Sequence, residues 1–137
     1  MPDPRRDIAA GLVMERTVAL MLATLHGGYG LLLATHGNDL WALSTYGPAL
    51  SVPGGVVTWG VVAVAAAVLL LVGTITWRET IVGAGATISA LWLMFFSIMF
   101  GIAAWQDGSP VALPGVLIYG CVAVLAAGRA GTAVGRR

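Results

Sequence analysis

The sequence predicts an all-α, polytopic integral membrane protein, folded as an antiparallel four-helix transmembrane bundle. Three observations carry that prediction. Between Val56 and Ala104 the only ionisable acid or base is the adjacent pair Arg78–Glu79. Each apolar arm beside that pair exceeds the ~20 residues a helix needs to cross a bilayer core. Apolar residues make up 58% of the chain and charged residues 9%, against roughly 25% charged in a soluble domain. All seven cations are arginines, and they gather in alternate connecting segments.

The central hairpin organises the rest. Spans two and three are expected at about 56–76 and 80–104. The link between them, Trp77-Arg78-Glu79-Thr80, leaves room only for a tight turn, so the two helices must run antiparallel and pack on each other. Before the hairpin, residues 1–16 read as a short polar to amphipathic segment, with Pro2 and Pro4 extended and Ile8 to Arg16 suited to an interfacial helix. Span one is expected at about 17–35. A basic start before an apolar stretch resembles a signal peptide, but no small-x-small cleavage site follows, so the stretch is read as a retained anchor. The longest polar-leaning loop follows, punctuated by Gly37-Asn38-Asp39, Gly47-Pro48 and Pro53-Gly54-Gly55, all turn signals. Trp41, Tyr46 and Trp59 are expected at the headgroup level, where amphipathic rings are favoured. A second turn at Trp105–Pro110 leads into span four, about 111–127. Pro114 falls in its first turn, where a missing N–H costs nothing. Residues 128–137 read as a small, basic, fraying tail. One domain covers 1–137.

The arginines predict the orientation. Arg5, Arg6 and Arg16 precede span one, Arg78 lies between spans two and three, and Arg129, Arg136 and Arg137 follow span four. The other two loops hold Asp39 and Asp107 and no arginine. With four spans, every arginine falls on one face, and the positive-inside rule puts both termini in the cytoplasm. The expected location is the cytoplasmic membrane. The expected partner is the lipid bilayer, with a homo-oligomer or other membrane proteins as further candidates. Seven arginines split among three segments make no nucleic-acid footprint.

Within lipid, helices associate by close backbone approach, so small residues at helical spacing mark contact faces. Span three carries such a stripe: Gly83, Thr87, Ala90, Met94, Ser97, Gly101 and Ala104. Span two offers Gly60, Ala63, Ala67 and Thr74; span one offers Ala19, Ala23, Gly27, Gly30 and Ala34; span four offers Gly120, Ala123 and Ala127. The expected hairpin contact sets Gly60, Ala63 and Ala67 against the Gly83–Ala104 stripe. Leu91, Trp92, Phe95, Phe96, Met99 and Phe100 take the other sides of span three, facing lipid, with one small stripe left over if the protein oligomerises.

His26 is the one strongly titratable side chain deep in a span, on the face shared by Ala19, Ala23 and Gly30. An ionisable residue there is a functional candidate by default, as a proton relay or a pore-lining group. With no carboxylate in any span, the structural alternative is favoured: a neutral imidazole hydrogen-bonded across the bundle to Ser97, Thr87 or Tyr119. Gly27-Gly28-Tyr29-Gly30 lacks the setting of a phosphate loop. Arg78 and Glu79 read as a solvated turn in which Glu79 favours the helix N-terminus. Cys121 reads as a packing residue. His36 and Asp39 alone make no metal site. No nucleophile elbow, zinc-protease motif or carboxylate pair is present, which points away from an enzyme and from any cofactor.

Length and span count are similar to those of small multidrug transporters, but the essential acid of their first span has no counterpart here. In layout the chain resembles small four-span membrane proteins of actinobacterial phages, some of them holins. The resemblance rests on size, arginine-only basic ends, high Ala/Gly/Val content and the Trp77-Arg78 turn between two long spans. It implies oligomerisation in the cytoplasmic membrane, then a lesion that releases a cell-wall hydrolase, and it carries no residue-level site. The alternative is an accessory or scaffold membrane subunit without transport or catalytic activity.

Overall fold

The computed structural model describes residues 4–41, 46–107 and 110–135. Four long helices dominate: α1 (Pro4–Leu40), α3 (Gly55–Ile75), α4 (Glu79–Asp107) and α5 (Leu113–Val134), with a single turn α2 (Gly47–Leu50) before α3 and a 3₁₀ turn, Pro110–Ala112, leading into α5. All four are long and apolar enough to span a bilayer. Among the described residues there is no strand. The protein is therefore an all-α, multi-pass membrane protein built as a four-helix bundle.

The helices are longer than the apolar stretches suggest. α1 is helical from Pro4, so the expected separate segment 1–16 is continuous with the first span. It breaks at His36 (φ −134°, ψ 19°), next to the predicted end of that span. α5 runs on to Val134, through most of the expected tail. The helix continues where Arg129, itself buried, pairs with a half-exposed partner on α4, described below, so these turns are tied to the bundle. Pro114 sits at the start of α5 as its chemistry requires. Arg136, Arg137 and the Gly108–Ser109 part of the second turn lie outside the described residues.

The hairpin turn is a helix stop of known geometry. Trp77 takes a left-handed conformation (φ 58°), and the Arg78 N–H donates to the Gly73 carbonyl at 3.0 Å. That six-to-one bond is the Schellman closure, normally built on glycine. A residue with a Cβ in this conformation costs roughly 1–2 kcal/mol. Its ring lies under the Arg16 guanidinium, 2.8 Å from the ring centroid, a cation–π contact that offsets part of that cost and ties α1 to the turn.

α3 lies between α1 and α4, and α4 between α3 and α5, while α1 meets α5 only sparsely. Each close pair uses its own small residues, and the hairpin contact differs from the expected one. Gly60 faces Gly30 and Leu33 of α1, and Gly27 of α1 faces Ala67. The α3–α4 contact instead uses Gly73 against the Val82 backbone and Gly85 against Leu70. Gly60 and Ala67 are seven residues apart on one stripe of α3. Ala66, Leu70 and Gly73, all buried, form a second stripe roughly a third of a turn away. Ala63 is fully buried. The expected α4 stripe turns mostly to α5. Gly83 faces Ala133, and Gly101 faces Val116. The Ser97 hydroxyl donates to the Val116 carbonyl at 2.9 Å. Ala90 is half-buried. Thr87 is exposed, its hydroxyl turned back to Gly83 O. A helix with two neighbours needs two small stripes, and composition alone does not say which serves which.

A Cβ built on Gly73 would lie 2.6 Å from the Val82 backbone nitrogen, whereas one on Gly28 meets nothing within 4 Å. Gly73→Ala is therefore expected to lower thermal stability in detergent by several degrees, and Gly28→Ala to leave it unchanged or slightly raised. Equal tolerance at both positions, read from melting curves, would place the α3–α4 contact elsewhere.

Candidate functional site

The centre of the bundle is a block of aromatic rings, contrary to the expectation that the α4 aromatics face lipid. Phe96 is fully buried and Trp92 nearly so, while Leu91, Met94 and Ile98 point outward. Trp92 and Phe96 are one helical turn apart and so share a face. Their rings lie 4.5 Å apart between centroids. Trp59 of α3 stacks on Phe95 at 4.5 Å. Tyr119 of α5 stacks on Phe100 at 5.4 Å. Trp41 is buried inside the bundle, against Phe96 and stacked on Tyr46. The physical reason is space. Small residues bring α1 to α3 and α4 to α5, and the gap left between α1 and the α4–α5 pair can be closed only by large side chains. The exposed tryptophans are Trp77 and Trp105, at opposite ends of α4.

Hydroxyl and indole groups stitch one end of this block. The Trp41 indole N–H donates to the Tyr29 hydroxyl at 3.3 Å, and the Trp59 indole N–H donates to the Ala49 carbonyl at 2.8 Å. Tyr29, Tyr46 and Tyr119 bring their hydroxyls within mutual hydrogen-bonding reach. Burial, with the neighbouring Tyr29 hydroxyl as a smaller cause, raises the Tyr46 phenol above its ordinary value, so it stays neutral at physiological pH.

His26 lies at the edge of the block, completely buried. Its imidazole meets Trp92 edge-on, 5.3 Å between centroids. Nδ1 lies 2.9 Å from the Leu22 carbonyl of its own helix. A carbonyl only accepts, so Nδ1 carries the proton and Nε2 presents a lone pair. Neither Nε2 nor the Trp92 indole N–H has a partner among the described residues. None of the expected cross-bundle partners reaches His26. Ser97 bonds to Val116 and Thr87 to Gly83, while Tyr119 is turned toward Trp92, Phe96 and Phe100. The contacts of His26 are thus ring packing and one local hydrogen bond.

This geometry reverses the ranking of replacements that a bonded imidazole would give. Removing an unmatched buried acceptor while keeping volume is nearly neutral. His26→Leu is therefore expected to hold stability within about 1 kcal/mol. His26→Gln, a flexible polar chain that loses the ring contact with Trp92 and brings more polar atoms than the site can match, should be less stable. Detergent denaturation of both variants checks this. A stable Gln variant beside a collapsed Leu variant would mean that Nε2 is bonded across the bundle.

Among the described residues, the buried charged side chain is Arg129. Its side chain is 3% exposed, and Nη2 donates to Glu79 Oε2 at 2.7 Å. Nη1 donates to the Thr132 hydroxyl at 3.2 Å. Glu79 thus sits in the first turn of α4, where the helix dipole favours it, and also holds the far end of α5. The sequence places Arg129 in a small, basic, fraying tail and does not reveal this pair. The available signal was its place two residues past the predicted span, within reach of the hairpin turn. Cys121 is exposed. Among the described residues, no three metal-ligating side chains converge. No family model, characterised protein or solved structure matches the chain.

Proposed function

We propose that the chain works as an accessory or scaffold subunit in the cytoplasmic membrane, without catalysis or transport of its own, both termini being cytoplasmic. The observation that supports this reading is the interior. The centre is closed by interlocked rings from α1, α3, α4 and α5, and its one histidine is spent on packing. A conduction path through a single chain needs a file of polar or wettable groups. The buried polar groups of this bundle are instead scattered: His26 beside Trp92, Ser89 bonded to Gly85 of its own helix, Ser97 bonded to α5, and Arg129 paired at one end.

A holin-like, oligomerising role is the second reading. It is favoured by small residues that face open space, Gly28 on α1 and Gly128 and Gly131 on α5, because such positions permit close helix contact between copies. Induced expression with a potential-sensitive dye separates the two. A subunit of the first kind leaves the membrane potential intact, whereas sudden collapse favours the second. Reporter fusions test the orientation: fusions after Asp39 and Asp107 should read outside, and those after Arg78 and Arg137 inside. An outside signal at Arg78 would overturn the topology.

A further inference from the structure

The seam between α1 and α3 carries three cavities laid end to end. The first, about 470 Å³, is apolar and reaches from Leu20 and Leu71 to Gly30. The second, about 530 Å³, is also apolar and lies over Gly30, Gly60 and Val61. The third, about 300 Å³, is polar and opens beside Thr35, His36 and Asp39. Ala34 lines all three, and Val56 and Val57 line both the second and the third. They therefore form one groove. From Leu20 to Asp39 it follows the helix for roughly 28 Å. Small residues, Gly27, Gly30, Ala34 and Gly60, line its floor along the contact of the two helices.

An apolar trough with a polar mouth at one end matches an amphiphile, and the mouth defines the head. The Thr35 hydroxyl donates to the Leu31 carbonyl at 2.9 Å. Its lone pairs are then what the His36 ring meets, with Nδ1 at 2.8 Å. His36 Nδ1 must therefore be the protonated nitrogen, and in the neutral ring Nε2 is an acceptor. Asp39, on the same rim, adds a carboxylate, which is acceptor-only and negative. Among the described residues, no arginine or lysine lines the groove. The mouth therefore offers acceptors and negative charge and calls for a positive group rich in N–H donors. An anionic headgroup is repelled by Asp39, and a quaternary ammonium has charge but no N–H to donate.

We propose that this groove holds one bilayer lipid with a primary ammonium headgroup, an ethanolamine phospholipid. Its ammonium is received by His36 and Asp39, and one acyl chain lies over Gly30 and Gly60 toward Leu20. The proposal rests on the chain being embedded in a bilayer, and it holds under either reading of the function.

The test uses the full chain, extracted from membranes and equilibrated with mixed micelles containing ethanolamine, choline and glycerol phospholipids of the same acyl chains. Native mass spectrometry then counts the retained lipid. The expected result is one ethanolamine lipid per chain, retained preferentially over the other two. Asp39→Asn should cut that retention about tenfold, the loss of one charge-assisted hydrogen bond. Ala34→Phe, placed on the exposed rim where it fills the trough from outside, should reduce retention of all three lipids. Helicity by circular dichroism confirms that both variants fold. Equal retention of ethanolamine and choline lipids by the parent chain overturns the headgroup assignment. Unchanged retention in Ala34→Phe overturns the groove. Disulfide cross-linking between copies of a Val61→Cys, Cys121→Ser variant, with no lipid retained, assigns the seam to a second chain and also overturns the proposal. Release of the chain from membranes by an alkaline wash would instead count against the membrane reading itself.

Discussion

Glu79→Gln is expected to be among the most damaging single polar changes in this protein. Arg129 is 3% exposed and sits at the end of a helix apolar enough to span the membrane, so it cannot recover its hydration where it stands. Removing one partner of a buried ion pair costs about 3–5 kcal/mol, because the other charge is left uncompensated. The Glu79 side chain is 35% exposed, which lets water soften the loss, so about 2–4 kcal/mol is expected. The two single variants should differ. Arg129→Met leaves a carboxylate that can turn to solvent and should cost less than Glu79→Gln. The double variant should recover much of the loss, because it strands neither charge. A double-mutant cycle on detergent unfolding measures this directly. Purely additive effects would mean that the pair contributes nothing to holding α4 and α5 together.

The second large effect is expected at Phe96. Its ring is fully buried and touches Trp41, Trp59, Trp92, Phe95 and Tyr119, so it joins α3, α4, α5 and the turn just after α1. Truncating a buried phenylalanine to alanine costs about 3–5 kcal/mol where the cavity cannot collapse. In lipid the transfer part of that figure shrinks, because acyl chains are as apolar as the core, while the lost ring contacts remain. A loss of about 3 kcal/mol is expected for Phe96→Ala. Leu91 is 67% exposed on the opposite side of the same helix, and Leu91→Ala should stay within about 0.5 kcal/mol. Melting of the two variants in one detergent checks the ranking. If Leu91→Ala proves the more harmful, α4 is rotated and its aromatics face lipid after all.

The sequence by itself determined the class of the protein, the number of long helices and the hairpin. Each follows from a one-dimensional quantity: a run of apolar residues long enough for a bilayer, a link too short for anything but a turn, and prolines and glycines at the ends. It also marked His26 as the unusual residue of span one, since a histidine among apolar neighbours stands out without any structure. Which faces meet was decided only by the tertiary structure. Small residues lie on two stripes of α3, and periodicity identifies both as contact faces without saying that Gly60 serves α1 and Gly73 serves α4. Trp92 and Phe96 were read as lipid-facing because rings and lipid are both apolar, so hydropathy assigns no inside to a membrane helix as it does to a soluble one. The gap that pulls these rings inward exists only once α1, α4 and α5 are placed. The same holds for the Glu79–Arg129 pair, whose members are separated by two spans in sequence and meet only because α4 and α5 run antiparallel. His26 shows the division most plainly. Its position was legible from the chain, but its partners were not: the Leu22 carbonyl that Nδ1 meets and the Trp92 ring beside it come only with the placed helices.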